Sequence, residues 1–273
     1  MVKNAIAPYD QQFYLSGIQV SGVTDLNGGY SISENPINII GKGHKYPVRQ
    51  GALVGNFEVN KYYIGEEPFL NYTGDNPISG SINYFNDFSS VSNKSFGFNS
   101  GYLTEYSVSA SIGTIPKSKA SIVVYGDIGS GINASGSNPH PDIQIPNQGS
   151  IALNTTGYQS NRVVDFSYTM RIDRDPIYQI GSPFPVEVQR KFPMTQQASF
   201  SLEVHDFEIN QIREYLVKPK QQNITLTFKN PINSSIIETF EIKKARLIEQ
   251  SMSSSNNNML NVALSYIGYI NKK

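Results

Sequence analysis

The 273-residue chain contains no cysteine and no tryptophan, and only 16% of its residues are charged. The first absence excludes disulfides, thiolate metal sites and cysteine nucleophiles. The charged fraction lies well below the ~25% of ordinary soluble domains. Ser, Asn, Thr, Gln and Tyr must therefore cover the surface, and such a surface is poorly defended against self-association. The 22 basic residues balance the 22 acidic ones, which removes net charge as a reason to bind nucleic acid or a membrane surface. No uninterrupted apolar run approaches the ~20 residues of a membrane helix. The N-terminal MVKNAIAPYDQQFYL lacks an apolar core followed by a cleavage site. The expectation is a soluble, non-secreted, assembly-prone chain. N-x-S/T sequons at Asn71, Asn93, Asn133, Asn154, Asn223 and Asn233 are ordinary in a chain this rich in Asn and Ser.

What the chain does have is a repeat. SISENPINIIGKGHKYP at 31–47 is echoed by RIDRDPIYQIGSPFPVE at 171–187, with Asn35-Pro36-Ile37 on Asp175-Pro176-Ile177 and Ile40-Gly41 on Ile180-Gly181, 140 positions apart. Further on, Phe96, Leu103, Glu105 and Ser107 match Phe240, Leu247, Glu249 and Ser251, 144 positions apart. That period is far longer than the 20–50 residues of solenoids and propellers, so it points to two copies of a whole domain. Copies of ~140 residues have the commonest domain size.

Alternation with period two dominates. Strands are expected at Ile18–Val20, Ala52–Val59, Ile78–Tyr84, Tyr102–Ile112, Ala120–Tyr125, Arg162–Ile172, Ala198–Val204, Asn223–Lys229, Ser235–Ile242 and Leu260–Ile270. Asn27-Gly28-Gly29 reads as a hairpin turn before Tyr30–Ser33. Asn or Asp before Pro at 35 and 175 reads as a turn after a strand. One helix is expected at Asp206–Val217, stopped by Pro219, with a weaker counterpart at Tyr62–Tyr72 broken by Gly65 and Pro68. The polar stretch Ser251–Asn258 reads as a separator before the last strand. The architecture is mainly β: two tandem sandwich or barrel domains, 1–126 and 161–273, each with about one short flanking helix. Between them 127–160, rich in Gly, Ser, Asn and Pro, is a partly ordered crossover with strand-like islands at Ile143–Ile145 and Ser150–Leu153.

Each motif that resembles chemistry has a plainer use. His44, His140 and His205 stand alone, with no second histidine at metal-ligand spacing. Gly126, Gly129 and Gly131 follow a strand as in a phosphate-binding turn, but the residues after them cannot open the helix that mechanism needs. Asp173 and Asp175 flank Arg174, and Glu66 adjoins Glu67; paired carboxylates serve glycosidases or Ca²⁺, yet Asp175 is Asn35 in the other copy. No serine lies in G-x-S-x-G. Tyr62-Tyr63, Tyr84-Phe85 and Phe96-Gly97-Phe98 are candidates for a stacking face, although aromatics in β proteins are usually core or interface. No catalytic, cofactor or metal residue is expected, and no enzyme.

With the echoed SISENPINIIGKG and RIDRDPIYQIGS, the mid-domain helix candidate 206–217, and the strand-rich closing segments 96–126 and 240–270, the chain resembles the duplicated tail tube proteins of long-tailed bacteriophages. The resemblance implies a virion structural protein, the major tail tube subunit, assembled in the host cytoplasm. It implies homotrimeric, pseudo-sixfold rings stacked around a lumen through which DNA passes without sequence-specific binding, with other tail proteins as partners and no membrane. A distal tail, baseplate or neck ring protein with the same domain, or a carbohydrate-binding tail adhesin using Tyr62-Tyr63, is the alternative. The crossover 127–160 and the hairpin at Thr114-Ile115-Pro116 are the expected ring-to-ring contacts, as long polar segments on compact domains.

Overall fold

The computed structural model describes residues 11–31, 34–38, 40–41, 45–49, 53–65, 67–84, 94–136, 145–146, 151–155, 158–160, 163–203, 221–255 and 258–272. The chain is mainly β and builds one large open sheet. In chain order the first half supplies β1 (Gln11–Leu15), β2 (Ile18–Val20), β3 (Val23–Ser31), β4 (Glu34–Asn38), β5 (Lys45–Arg49), β6 (Val54–Tyr62), β7 (Ile78–Tyr84), β8 (Lys94–Ser111), β9 (Lys117–Val124) and β10 (Ile128–Ser130). The second supplies β11 (Ile151–Thr155), β12 (Tyr158–Ser160), β13 (Val163–Arg171), β14 (Arg174–Ile177), β15 (Glu187–Arg190), β16 (Met194–Glu203), β17 (Gln222–Lys229), β18 (Ile236–Ser255) and β19 (Asn258–Ile270).

Strand pairing runs β3-β6-β9-β8-β7-β1-β2 in the first half and β13-β16-β19-β18-β17-β11-β12 in the second. The two orders correspond strand for strand, and the pairs β4-β5 and β14-β15 form separate two-stranded sheets at equivalent places. Registers correspond as well. Asp25 opposes Asn60 after an irregularity between Val23 and Asp25, and Asp165 opposes Ser201 after one between Val163 and Asp165. The break between Leu103 and Glu105 against β9 recurs between Leu247 and Glu249 against β19. A bulge re-aims every later residue of its strand, so matched bulges mean matched faces. The separations of 140 and 144 seen in sequence are the separations of structurally equivalent strands.

The halves are joined through β8. Along one edge, its first part pairs with β7 and its last part, Glu105 to Ser111, pairs with β13; β10 and β9 occupy the opposite edge. Alternation then sorts the side chains. Tyr106, Val108 and Ala110 of β8 lie beside Met170, Tyr168 and Phe166 of β13 on the buried face. One apolar core continues through both halves. Phe228 packs 4.8 Å from the Tyr63 ring and 6.2 Å from Phe166, and Phe240 lies 5.0 Å from Tyr168. Aromatic contacts of this kind add about 0.5–1.5 kcal/mol each beyond area burial.

Several expectations need correction. Asn27-Gly28-Gly29 is no turn: it lies mid-strand in β3, opposite Glu58, Phe57 and Asn56. Gly28 is required by space, since a Cβ there would sit 2.4 Å from the Phe57 ring. The true tight hairpin is Ser16-Gly17 between β1 and β2, with φ of 48° and 86°, the both-positive pattern of a type I′ turn. The Asn/Asp-Pro motifs lie within β4 and β14 rather than in turns; a two-stranded sheet has only edges, where Pro is tolerated. Ser251–Ser255 belongs to β18, so the supposed separator is strand. Among the described residues of Tyr62–Tyr72, only Pro68–Tyr72 is helical, as one 3-10 turn, and 206–217 lies outside the described residues. Within 127–160, β10 pairs with β8 while β11 pairs with β17 and β12; Ile143 and Gln144 lie outside the described residues.

Candidate functional site

The sheet has one apolar face and one polar face, and the polar face crosses the junction between halves without a break. Ser109, Ser167, Ser199 and Ser265 stand side by side on β8, β13, β16 and β19, with the Ser199 and Ser265 hydroxyls 2.8 Å apart. On the central part of this face the basic side chains are Lys117, Lys119 and Arg171. Lys119 pairs with Glu58, Arg171 Nε lies 3.1 Å from Glu105 Oε2, and Lys117 Nζ lies 5.9 Å from the Tyr62 ring centre. A groove of about 470 Å³ runs over β3, β6 and β9, lined by the polar-face residues Asn27, Asn56, Glu58 and Ser121 together with Tyr30, Val54, Phe57 and Ile122.

Two strand edges are left open among the described residues. β3 pairs with β6 alone, whereas its equivalent β13 has β16 on one edge and β8 on the other. β18 from Glu249 to Ser255 pairs only with β19, whereas the equivalent stretch of β8 takes β13 on its outer edge. These edges carry exposed apolar side chains: Tyr30 on β3, and Ile248 and Met252 on β18. The Gln250 Oε1 atom is buried without a hydrogen-bond partner, at the position that Tyr106 holds in β8. Unpaired, flat edges template the addition of another strand.

A second junction lies at one end of the sheet. The β14-β15 hairpin of the second half sits on the first half. Arg174 donates from Nε to the Leu103 carbonyl at 2.9 Å and from a terminal nitrogen to the Gly74 carbonyl at 2.7 Å. Arg190 Nε reaches Asp75 at 2.9 Å. Val188 completes a small apolar cluster with Tyr102, Val123 and Tyr125, and the Arg174 guanidinium lies over the Tyr102 ring at 5.6 Å. Burial raises the Tyr102 and Tyr125 hydroxyl pKa values above their usual range.

The residues singled out from sequence are not brought together as a chemical centre. His44, His140, His205 and Glu66 lie outside the described residues. Gly126 and Gly131 flank β10, Gly129 lies within it opposite Gly97, and the Gly131 N–H donates to the Ser95 carbonyl rather than opening a helix. Asp175 opposes Gln189 in β14-β15, while the Asp173 carbonyl accepts from the Lys191 N–H. Glu67 is buried against Lys61 at 2.5 Å and accepts from Ser118 Oγ at 3.2 Å. Among the described residues no group of three or more His, Asp or Glu is placed to hold a metal ion. Tyr62 and Tyr63 do not form a shared stacking face: Tyr62 is exposed and Tyr63 is in the core against Phe228. Thr114 caps the β8-β9 turn by donating to the Ser111 carbonyl, with Ile112 and Ile115 exposed beside it.

No family model matches the chain, and no curated protein matches it in sequence. Among solved structures it is similar to Hcp1 from Flavobacterium johnsoniae, at 8% identity and a TM-score of 0.29, covering 45% of this chain and 98% of that one. A likeness at that level assigns nothing to this chain.

Proposed function

We propose that the chain is a structural subunit of a hollow, ring-built tube of the bacteriophage tail type, made of two tandem tube-like domains and without catalytic activity. The observation that carries this reading is the junction inside the chain. β13 of the second half completes the outer edge of β8 in the first, and the equivalents of those two edges, β18 and β3, are left open at opposite ends of the same sheet. An interface that joins unlike edges head to tail repeats with every added copy and closes into a ring when the rotation allows. Three chains supply six repeats, so a homotrimer imitates sixfold symmetry.

The register follows from the template. Carrying Asp165–Arg171 back by 140 and Glu105–Ser111 forward by 144 places Asp25 against Ser255, Gly29 against Ser251, Tyr30 against Gln250 and Ser31 against Glu249 of the next chain. Closure covers Tyr30 and Met252. The polar face then lines the channel. Its hydroxyls offer weak contacts everywhere and two of its central basic side chains, Lys119 and Arg171, are already paired with Glu58 and Glu105, so a polyanion such as DNA slides past with few phosphates neutralised.

Electron microscopy of the purified protein tests the proposal. Rings with six lobes are expected, of three chains each by mass, stacking into tubes as concentration rises; isolated rings that never stack favour a baseplate or neck position. A chain that stays monomeric at every concentration overturns the reading.

A further inference from the structure

The hairpin junction has an unfilled counterpart as well. In the first half, Tyr102, Val123 and Tyr125 are each at least 91% buried, beneath the β14-β15 hairpin. Equivalent positions in the second half, 144 further on, are Arg246, Ile267 and Tyr269. There no hairpin lies above them among the described residues: Arg246 is exposed, Ile267 half-buried and Tyr269 52% exposed. The β4-β5 hairpin of the first half, equivalent to β14-β15, pairs with no other strand among the described residues. Both hairpins pair only within themselves; β14-β15 has its platform beneath it, and the equivalent platform of the second half is uncovered among the described residues.

We infer that the β4-β5 hairpin of each chain docks on the Arg246–Ile267–Tyr269 platform of the preceding chain, as a second clamp beside the paired edges. The inference rests on the head-to-tail assembly proposed above. The direction agrees with that of the edges: the half that contributes β13 to β8 also lays its own hairpin on that neighbour, so the chain that contributes β3 to β18 lays down β4-β5. Chemistry at the key position is exchanged rather than lost. Arg174 lies over Tyr102 inside the chain, and by register Glu34 takes the place of Arg174 while Arg246 takes the place of Tyr102. A carboxylate on the hairpin thus meets a guanidinium on the platform, a pairing that fixes register and rejects the wrong hairpin. Arg49 lies opposite Glu34 as Arg190 lies opposite Arg174, so β14-β15 of another chain would bring two guanidinium groups toward Arg246 where β4-β5 brings one and a carboxylate. The two hairpins are therefore sorted by charge.

Charge reversal and hydrogen exchange test the inference. Glu34→Arg or Arg246→Glu alone is expected to raise the concentration at which rings half-dissociate by about tenfold or more, with the double variant returning to within a few fold of wild type. Amide exchange over 34–49 is expected to be slower in rings than in the dissociated chain. Wild-type rings with unchanged exchange over 34–49, or single variants that assemble as wild type, overturn the hairpin clamp and leave the edge pairing standing. Failure of wild type to form rings overturns both. Tyr269→Ala, which introduces no charge, is expected to weaken rings in the same direction without altering the thermal unfolding of the dissociated chain.

Discussion

Oxidised under mild conditions, the double variant Tyr30→Cys/Gln250→Cys is expected to run on a non-reducing gel as covalent dimers and trimers, with each single variant remaining monomeric. The chain has no cysteine of its own, so every cross-link reports the engineered pair. The pairing inherited from β13 and β8 sets Tyr30 directly opposite Gln250. Opposed residues in an antiparallel ladder have Cα atoms ~4.5–5.5 Å apart, inside the ~4.4–6.8 Å window of a disulfide. Gly29→Cys with Ser251→Cys is the neighbouring pair on the polar face, and a side chain at Gly29 meets no atom within 4 Å. Tyr30→Cys with Ser251→Cys is the control: one step of register sends the two thiols to opposite faces, and no cross-link is expected. A ladder that stops at the trimer supports the three-chain ring. A ladder that runs on past it keeps the edge pairing and rejects three-chain closure; monomer alone in both matched pairs rejects the interface.

The parts of this structure that were legible in the sequence are those with a period. Alternation located Ile78–Tyr84 to the residue, and the separations of 140 and 144 match the spacing of strands that hold corresponding places in the sheet order. Local residue chemistry misled where a tertiary contact outweighed it. Gly28 signals a turn, yet it is glycine because the Phe57 ring takes the space of its Cβ. Ser251–Ser255 signals a loop, yet it is strand: one edge pairs with β19 and the other is open, so neither apolar alternation nor turn chemistry marks it. The candidate site was not legible at all. It consists of ladder groups without partners, and an unpaired edge has no residue signature of its own. It becomes visible only when the same strands are seen paired elsewhere in the same chain.

The largest stability effect is expected at the buried pair beneath the junction. Lys61 and Glu67 are 2% and 3% exposed; Lys61 Nζ lies 5.8 Å from the Tyr63 ring and Glu67 lies beside Tyr106, and those rings meet Phe228 and Phe240 of the second half. Glu67→Ala strands the ammonium of Lys61 in the core, and breaking such a pair costs ~3–5 kcal/mol. The paired replacement Lys61→Met/Glu67→Leu removes both charges, and equilibrium denaturation is expected to find it as stable as wild type or more so. Such a result shows that the pair adds no net stability, and ring assembly by that variant then tests whether it serves to place the two halves. The pH dependence has a definite sign. Burial raises the Glu67 carboxyl above its ordinary 4.5, with the Lys61 charge pulling it back. The folded chain therefore holds this proton to higher pH than the unfolded chain, and stability falls as pH rises from about 4.5 through the folded-state value. Glu67→Gln lacks that step. The wild-type-minus-Gln difference in denaturation free energy is expected to be flat at lower pH and to fall above it; a difference that climbs with pH would mean that the attraction of Lys61 outweighs the cost of burial.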